Sequence, residues 1–285
     1  MRIHPNLGPF RLGVRALPES ALLICGLATG RIDTEGLRFA IQPATVEQLN
    51  EWAGWNHFDA VMVSVPACLT AADRLRMLPG PLWACPTGGP SLVARQPIRP
   101  EALAGRTVLV PGEGSAGFMA LSLLLPPALW EIHPEGQLRE RLLEGIAPAG
   151  LVLGRDRLEY PHGEGLHPLV DISEWWGRRH GGMPLPLGVF ALDRCLDPEV
   201  GRRFARVLRR SIDYGLGHRA DVLQYALQWA RPMSGPDVTS FLDRWISTEL
   251  ILDPAHAKNL IDAFCHAMAA EGREPARQKP HYLAD

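Results

Sequence analysis

The chain has 285 residues, 46% of them hydrophobic, which is enough to bury the core of one two-lobed domain or of two smaller domains. A formal net charge of −2 and a pI near 6.6 exclude the basic surface by which proteins bind nucleic acid or anionic membranes. Five scattered cysteines without Cys-x-x-Cys spacing argue against a disulfide framework and a structural zinc site.

We also expect no cofactor, no metal and no membrane partner. The chain contains neither a Gly-Lys-Ser/Thr phosphate loop nor a Gly-x-Ser-x-Gly elbow nor a His-Glu-x-x-His zinc motif. Its N-terminus, MRIHPNLGPFRLG, is not a secretory signal, and the longest apolar run, 118–129, is broken by Pro126 and Pro127. These features favour a cytoplasmic protein.

Strands and helices alternate through the first two thirds of the chain. The pattern predicts strands at 10–14, 37–42, 58–64, 106–111, 129–132, 150–153 and 189–192. It predicts helices at 19–29, 45–53, 115–125 and 135–145, and after residue 197 only helices, at 198–216, 219–230, 235–246 and 254–271. This alternation is typical of an α/β fold with two mixed sheets.

The most informative stretch lies between residues 150 and 188. A strand at 150–153 runs into the charged turn Arg155-Asp156-Arg157, and a helix with two tryptophans follows at 171–179. The segment 182–188 reads Gly-Met-Pro-Leu-Pro-Leu-Gly, and its two prolines fix φ and forbid helix. Such a stiff apolar segment suits a crossing from one lobe to another.

This order of elements resembles the 1,4-dihydroxy-6-naphthoate synthases of the futalosine route to menaquinone. The resemblance covers roughly residues 10 to 195. Besides the Pro-Leu-Pro segment and the tryptophan pair, it rests on Phe10-Arg11-Leu12-Gly13, the helix motif at 45–53, Phe58-Asp59 with Ser64, the strand at 89–95, and Val110-Pro111-Gly112 followed by Ser115.

The resemblance implies a two-lobed α/β fold like that of periplasmic solute-binding proteins (type 2), with a ligand cleft between the lobes and a helical C-terminal part. We expect lobe I to contain residues 1–94 and 188–285, and lobe II to contain residues 95–187. The implied partner is a small carboxylate-bearing or aromatic metabolite. The oligomeric state is left open.

Several polar groups of the family's pocket are replaced in this chain. The family's catalytic histidine corresponds to Gly154, and its Thr-Lys pair corresponds to Val61-Met62. Its first loop, Ser-Pro-Cys-Pro-Asn-Asp-Thr-Phe, reads Arg-Ala-Leu-Pro-Glu-Ser-Ala-Leu at 15–22. Arg157 and Tyr160 are retained. The pattern indicates a changed ligand or a changed reaction.

Two glycine turns are candidate ligand sites. The turn 112–115 precedes a predicted helix, whose first N–H groups would bind an anion together with the Ser115 hydroxyl; the alternative is a plain N-cap. The turn 87–91 reads as a loop when taken alone, but the resembled fold places it opposite the first. Adding the positions of the family's pocket, the candidate ligand-binding residues are Arg15, Ser64, Gly88, Gly89, Gly114, Ser115, Ala116, Gly154 and Arg157.

The candidate catalytic residues are the carboxylates at predicted strand ends, Glu19, Glu113 and Asp156. Burial can raise the pKa of a carboxyl group enough for it to act as a base near neutral pH. His162 and His167 are the histidines near the family's catalytic position, although loop histidines are usually just solvated.

Three classes of function remain open. The first is a diverged enzyme, a carbon–carbon or carbon–oxygen lyase that abstracts a proton from another small substrate. The second is a non-catalytic small-molecule binder or sensor. The third is a genuine 1,4-dihydroxy-6-naphthoate synthase with a substitute base. Fold alone cannot separate them.

The retained arginine gives a first prediction. We expect Arg157, Ser115 and the backbone of Gly114 to converge on one anionic group of the ligand. Calorimetry with the identified ligand should then show strongly weakened binding for Arg157→Ala, because hydrogen bonds to charged groups contribute roughly 1.5–3 kcal/mol each. Arg157→Lys should recover only part of the loss, since a point charge cannot replace the guanidinium fork. Wild-type affinity in Arg157→Ala would make Arg15 the next candidate.

Overall fold

The computed structural model describes residues 8–153, 165–230, 234–273 and 280–283, and it shows a mixed α/β protein with two sheets. The strands are β1 (Phe10–Arg15), β2 (Phe39–Ala44), β3 (Ala60–Ser64), β4 (Leu75–Cys85), β5 (Ser91–Ala94), β6 (Thr107–Val110), β7 (Leu129–Ile132), β8 (Ala149–Val152), β9 (His167–Asp171), β10 (Leu185–Asp193) and β11 (Leu250–Ile251). The helices are α1 (Pro18–Ala28), α2 (Val46–Ala53), α3 (Val65–Thr70), α4 (Ala116–Leu124), α5 (Leu138–Glu144), α6 (Ile172–Arg179), α7 (Pro198–Gly217), α8 (Arg219–Ala226), α9 (Gly235–Thr248) and α10 (Pro254–Ala270).

The first sheet has the order β11-β4-β10-β3-β1-β2. Its β1 pairs in parallel with β2 and β3, and β10 runs antiparallel between β3 and β4. The second sheet has the order β7-β6-β8-β5-β9, in which β6 is parallel to β7 and β8. Because β1, β3 and β6 are parallel strands followed by helices, their carboxyl ends and the next helix N-termini lie at sheet edges where ligands commonly bind.

The first crossing between the sheets lies earlier than we expected. We assigned Ser91–Ala94 to lobe I, but this strand pairs with β8 and β9 of the second sheet. The chain therefore leaves the first sheet after Cys85, and the glycine turn at 87–91 makes the crossing. The proline-bearing return is not only a linker, because β10 begins at Leu185 and pairs with β4 from that residue onward. With these changes, the division into two lobes stays a prediction.

Strand β4 was missed by the sequence patterns. Its sequence Leu-Pro-Gly-Pro at 78–81 reads as a turn, yet it lies inside an 11-residue strand. The pairing with β10 jumps from Val189↔Leu82 to Ala191↔Met77, so residues 78–81 bulge from the ladder. A bulge accommodates prolines that cannot donate to a ladder.

Helix α1 lies inside the protein rather than on its surface. Residues 18–27 are all buried, and the helix packs against α7 and α8. This explains its almost uniformly apolar sequence and makes its one carboxylate, Glu19, unusual. Another part of the core contains Val65 and Phe264 together with Val110 and Leu151. This cluster joins elements of both sheets. Within the described ranges, no helix combines the length and apolarity of a membrane span.

The packing of α1 on α7 yields a matched pair of substitutions. A Cβ added at Gly215 would lie 2.5 Å from the Leu22 carbonyl oxygen, whereas one added at Gly217 meets nothing within 4 Å. We expect Gly215→Ala to lower the free energy of unfolding by about 1–3 kcal/mol through overpacking. Gly217→Ala should stay within about 0.5 kcal/mol of wild type. Urea unfolding measures both, and equal stability of the two variants would contradict this packing.

Candidate functional site

A cavity of about 50 Å³ lies where elements of the two sheets meet, and we call it the inner cavity. The first sheet contributes residues at the ends of β1 and β3 and along β4 and β10. The second contributes the N-terminus of α4 and the end of β8. Its lining residues are Arg15, Leu17, Glu19, Val46, Ser64, Trp83, Pro90, Ser115, Ala116, Gly117, Leu153, Leu187, Trp245 and Glu249.

A larger cavity of about 510 Å³ adjoins it, and we call it the outer cavity. The two cavities share the lining residues Arg15, Leu17 and Val46. Across from these residues the outer cavity is lined by 135–137, which precede α5 on the second sheet. Arg15 therefore lies on the boundary of both cavities.

The inner cavity holds a buried ion pair. Arg15 ends β1, and Glu19 lies four residues later in the first turn of α1. The Arg15 Nη2 atom lies 3.1 Å from Glu19 Oε1, and the side chains are 14% and 3% exposed. The Arg15 guanidinium carbon also lies 5.0 Å from the centre of the Trp83 ring, a cation–π distance. Removing one partner of such a pair leaves a buried charge and costs about 3–5 kcal/mol.

The N-terminus of α4 forms one wall of this cavity. Ser115 is the N-cap, and its Oγ accepts a hydrogen bond from the Phe118 amide at 3.1 Å. The Ser115 hydroxyl therefore caps α4, as the alternative to a ligand contact had it. The first N–H groups of a helix have no intrahelical partner, and Ala116 and Gly117, which carry two of them, line the cavity. The wall favours a negatively charged group.

Ser64 joins the two sheets. It caps α3 by accepting a hydrogen bond from the Ala67 amide at 3.3 Å, and its Oγ donates to the Gly114 carbonyl at 2.5 Å. The Ser64 amide donates to Asn50 Oδ1 at 2.9 Å. The Gly114 backbone, expected at the ligand, is thus bonded to Ser64.

The sequence-predicted residues divide into three groups. Arg15, Glu19, Ser64, Ser115 and Ala116 line the inner cavity. Gly88, Gly89, Glu113 and Gly114 line neither cavity. Gly154, Asp156 and Arg157 lie outside the described residues, as does His162.

The residues that line neither cavity either have a local structural role or are exposed to solvent. The Gly88 amide donates to Asp171 Oδ2 at 2.5 Å, which ties the crossing to the start of α6. A Cβ added at Gly89 would lie 2.9 Å from Cys85 Sγ, so this glycine serves close packing. Glu113 and His167 are exposed.

Our expectation of no cofactor assumed that no Gly-x-Gly-x-x-Gly dinucleotide-binding spacing occurs, but residues 112–117 have that spacing. Here the glycines serve packing. A Cβ at Gly112 would lie 3.0 Å from Glu47 Cγ, and one at Gly117 would lie 2.8 Å from both Leu153 and Pro90. These contacts bring α4 against the neighbouring elements and narrow the inner cavity.

Sequence reasoning missed the remaining lining residues, among them the three largest polar or aromatic side chains, Trp83, Trp245 and Glu249. Trp83 lies on the unpredicted β4, and the other two belong to α9 and its C-cap, beyond the region of resemblance. The two indole rings lie 6.3 Å apart. Glu249 is 2% exposed, and its carbonyl accepts a hydrogen bond from the Ala84 amide. No local sequence pattern marks these three residues, because their placement depends on tertiary contacts.

Comparison with known proteins assigns the chain to a protein family. A family model described as menaquinone biosynthesis matches residues 10–261. The chain belongs to this family. It is 28% identical over 239 residues to the 1,4-dihydroxy-6-naphthoate synthase of Thermus thermophilus, a match that covers 83% of this chain and 85% of the relative. The family relationship indicated by the sequence motifs is thereby confirmed.

Solved structures establish the fold. A protein from Archaeoglobus fulgidus superposes with a TM-score of 0.82 at 22% identity, covering 94% of this chain and 99% of that one. The periplasmic aliphatic sulphonate-binding protein of Escherichia coli gives a TM-score of 0.64 at 12% identity, covering 97% and 94%. At these identities the likeness concerns the fold alone. The predicted α/β fold of the periplasmic-binding-protein type is confirmed.

The bond from Ser64 to Gly114 gives a testable role in closing the cleft. We expect Ser64→Ala to lose an N-cap, at about 1 kcal/mol, and also a bond between the two sheets. Ser234→Ala is the matched control, because Ser234 caps α9 through the Asp237 amide at 3.4 Å and lies outside both cavities. Small-angle X-ray scattering should show a larger radius of gyration for Ser64→Ala only. An unchanged radius in both variants would show that this bond does not hold the sheets together.

Proposed function

We propose that this protein is an enzyme of menaquinone biosynthesis that binds a small carboxylate-bearing or aromatic metabolite in the inner and outer cavities. We further propose that it abstracts a proton from this ligand in a lyase-type reaction. The observation that carries the proposal is the buried carboxylate of Glu19 in a cavity whose opposite wall is a helix N-terminus. A carboxylate in this position can accept a proton from a ligand bound beside it.

Glu19 is the proton acceptor in this proposal. A general base has to lie within hydrogen-bond reach of the proton that it takes. Glu19 lines the cavity, whereas Glu113 is exposed and lines neither cavity. One oxygen of Glu19 is held in the ion pair with Arg15, which leaves Oε2 for the ligand.

The remaining lining residues suit an aromatic acid. The N-terminus of α4 offers backbone donors to a carboxylate, and Arg157, which lies outside the described residues, is proposed to add a charged contact. The rings of Trp83 and Trp245 form an apolar wall, against which a flat ligand would pack.

The proposed reaction differs from that of the naphthoate synthases. Gly154 occupies the position of their catalytic histidine, and a general base contributes about 10²–10⁴-fold to rate. The changed first loop places Glu19 where the family has asparagine. A genuine naphthoate synthase that uses Glu19 as its substitute base is the remaining enzymatic alternative.

One observation favours a non-catalytic binder instead. The ion pair between Arg15 and Glu19 joins the end of β1 to the first turn of α1, and such a pair can be retained for structure alone. In this alternative the cavity binds a solute, as the sulphonate-binding protein with the same fold does.

Turnover separates these alternatives. We expect purified protein incubated with the cyclic futalosine derivative of the naphthoate synthases to release no naphthoate at the ordinary enzymatic rate of about 1 s⁻¹ or more. Chromatography measures the release. Substantial release would identify a synthase with a substitute base.

The proposal itself is tested on the natural ligand, found by mass spectrometry of molecules that co-purify with the protein and ranked by thermal shift. With that ligand, Glu19→Gln should lower turnover by about 10²-fold or more. Glu113→Gln, which changes an exposed carboxylate, should leave turnover unchanged. A protein that binds the ligand tightly and never converts it is a binder, and the catalytic part of the proposal then fails.

A further inference from the structure

The deepest part of the inner cavity contains three polar atoms that make no hydrogen bond to any described residue: Glu19 Oε2, Trp83 Nε1 and Arg15 Nη2. Glu19 is 2% exposed and Trp83 is 1% exposed. Arg15 Nη2 contacts Glu19 Oε1 in the ion pair without hydrogen-bond geometry. Buried polar atoms in native proteins nearly always have a partner, so this group calls for one.

The three residues are neighbours in one small cavity. Arg15 contacts Glu19 directly, and its guanidinium carbon lies 5.0 Å from the Trp83 ring centre. All three residues line the inner cavity. This shared lining is the basis for inferring that one functional group of the ligand satisfies the three atoms.

Their chemistry specifies that group. The indole N–H and the guanidinium N–H only donate, and an ionised glutamate only accepts. The complementary group has to accept from Arg15 and Trp83 and donate to Glu19. A hydroxyl group or a primary carboxamide does both, whereas a carboxylate satisfies the two donors but places a like charge against Glu19. A water molecule has the same pattern, so a ligand group that displaces it has to reproduce its bonds.

We propose that the Arg15–Glu19–Trp83 end of the inner cavity recognises a neutral hydroxyl or carboxamide group of the ligand, and that the acid group of the ligand is directed to the α4 wall. This inference rests on the proposed function in one respect, namely that the cavity binds a small molecule. It adds the polarity of the ligand: a neutral donor–acceptor group at one end and the acid at the other. The proton facing Glu19 is then bound to oxygen or nitrogen.

Two pairs of matched probes test this polarity. Benzamide and benzoate have the same shape and differ in charge and in the presence of a donor, and acetamide and acetate are the smaller equivalent. Calorimetry or ligand-observed NMR gives their dissociation constants with the wild-type protein. We expect each amide to bind at least about tenfold more tightly than its acid, because only the amide donates to Glu19.

Variants assign the preference to these residues. In Glu19→Gln the like charge is removed, so the amide-to-acid preference should fall to within about threefold, mainly because the acid binds better. Trp83→Phe keeps a ring and loses the donor, so amide binding should weaken by about three- to tenfold. Glu113→Gln, on the exposed turn, should keep the wild-type preference. Thermal unfolding of each variant identifies any that fails to fold, and Trp83→Phe tests the proposal if Glu19→Gln does not fold.

The outcomes separate this inference from the proposed function. If acids bind as tightly as amides in the wild type, or if Trp83→Phe leaves amide binding unchanged, the inferred polarity is wrong while small-molecule binding stands. If no probe of either pair binds at tens of millimolar, the inner cavity is not a small-molecule site, and the inference and the proposed binding function fail together.

Discussion

The buried ion pair between Arg15 and Glu19 is the constraint on which the site depends. Taking two charges out of water is costly unless each faces the other, and here the pairing follows from the junction of one strand with one helix. β1 ends at Arg15, and Pro18 opens α1 so that Glu19 lies in its first turn. Because α1 is buried on all sides, the carboxylate cannot turn toward solvent. Glu19 lines the inner cavity, so the packing of an apolar helix determines where this acidic group lies.

Two departures from the family's motifs meet in the core. Ser20 follows Glu19 on α1, and Met62 lies on β3, where the family has lysine. Both are buried, and Ser20 Oγ lies 3.9 Å from Met62 Sδ. A lysine at residue 62 would bring a charge against the buried face of α1, which an apolar thioether avoids. The expected differences on the first loop and on the third strand thus fall on residues that contact each other in the core.

Local sequence patterns predicted much of the fold. They also predicted the part of the site that lies at strand ends and at the helix starts that follow them. Thr45 and Gln48 form the predicted capping box, and the cap at Ser115 follows from a hydroxyl before an apolar helix. Trp83 and Glu249 could not be predicted in this way. Trp83 lies on a strand whose Pro-Gly-Pro bulge imitates a turn, and Glu249 reaches the cavity because its carbonyl pairs with Ala84, a contact 165 residues distant in sequence. Such placement depends on tertiary pairing and leaves no periodic pattern.

The site thus joins two kinds of constraint on a single ligand. The α4 wall is backbone: Ala116 and Gly117 line the cavity at the helix N-terminus, and the first N–H groups of a helix favour an anion regardless of side chains. The other end is made of side chains: Arg15 and Trp83 offer hydrogen-bond donors, and Glu19 offers an acceptor. The backbone of the fold supplies the first constraint, and side chains on β1, α1 and β4 supply the second. Specificity that changes while the anion wall is kept is what a diverged family member requires, because the common acid of its substrates can stay in place while the reacting group beside Glu19 changes.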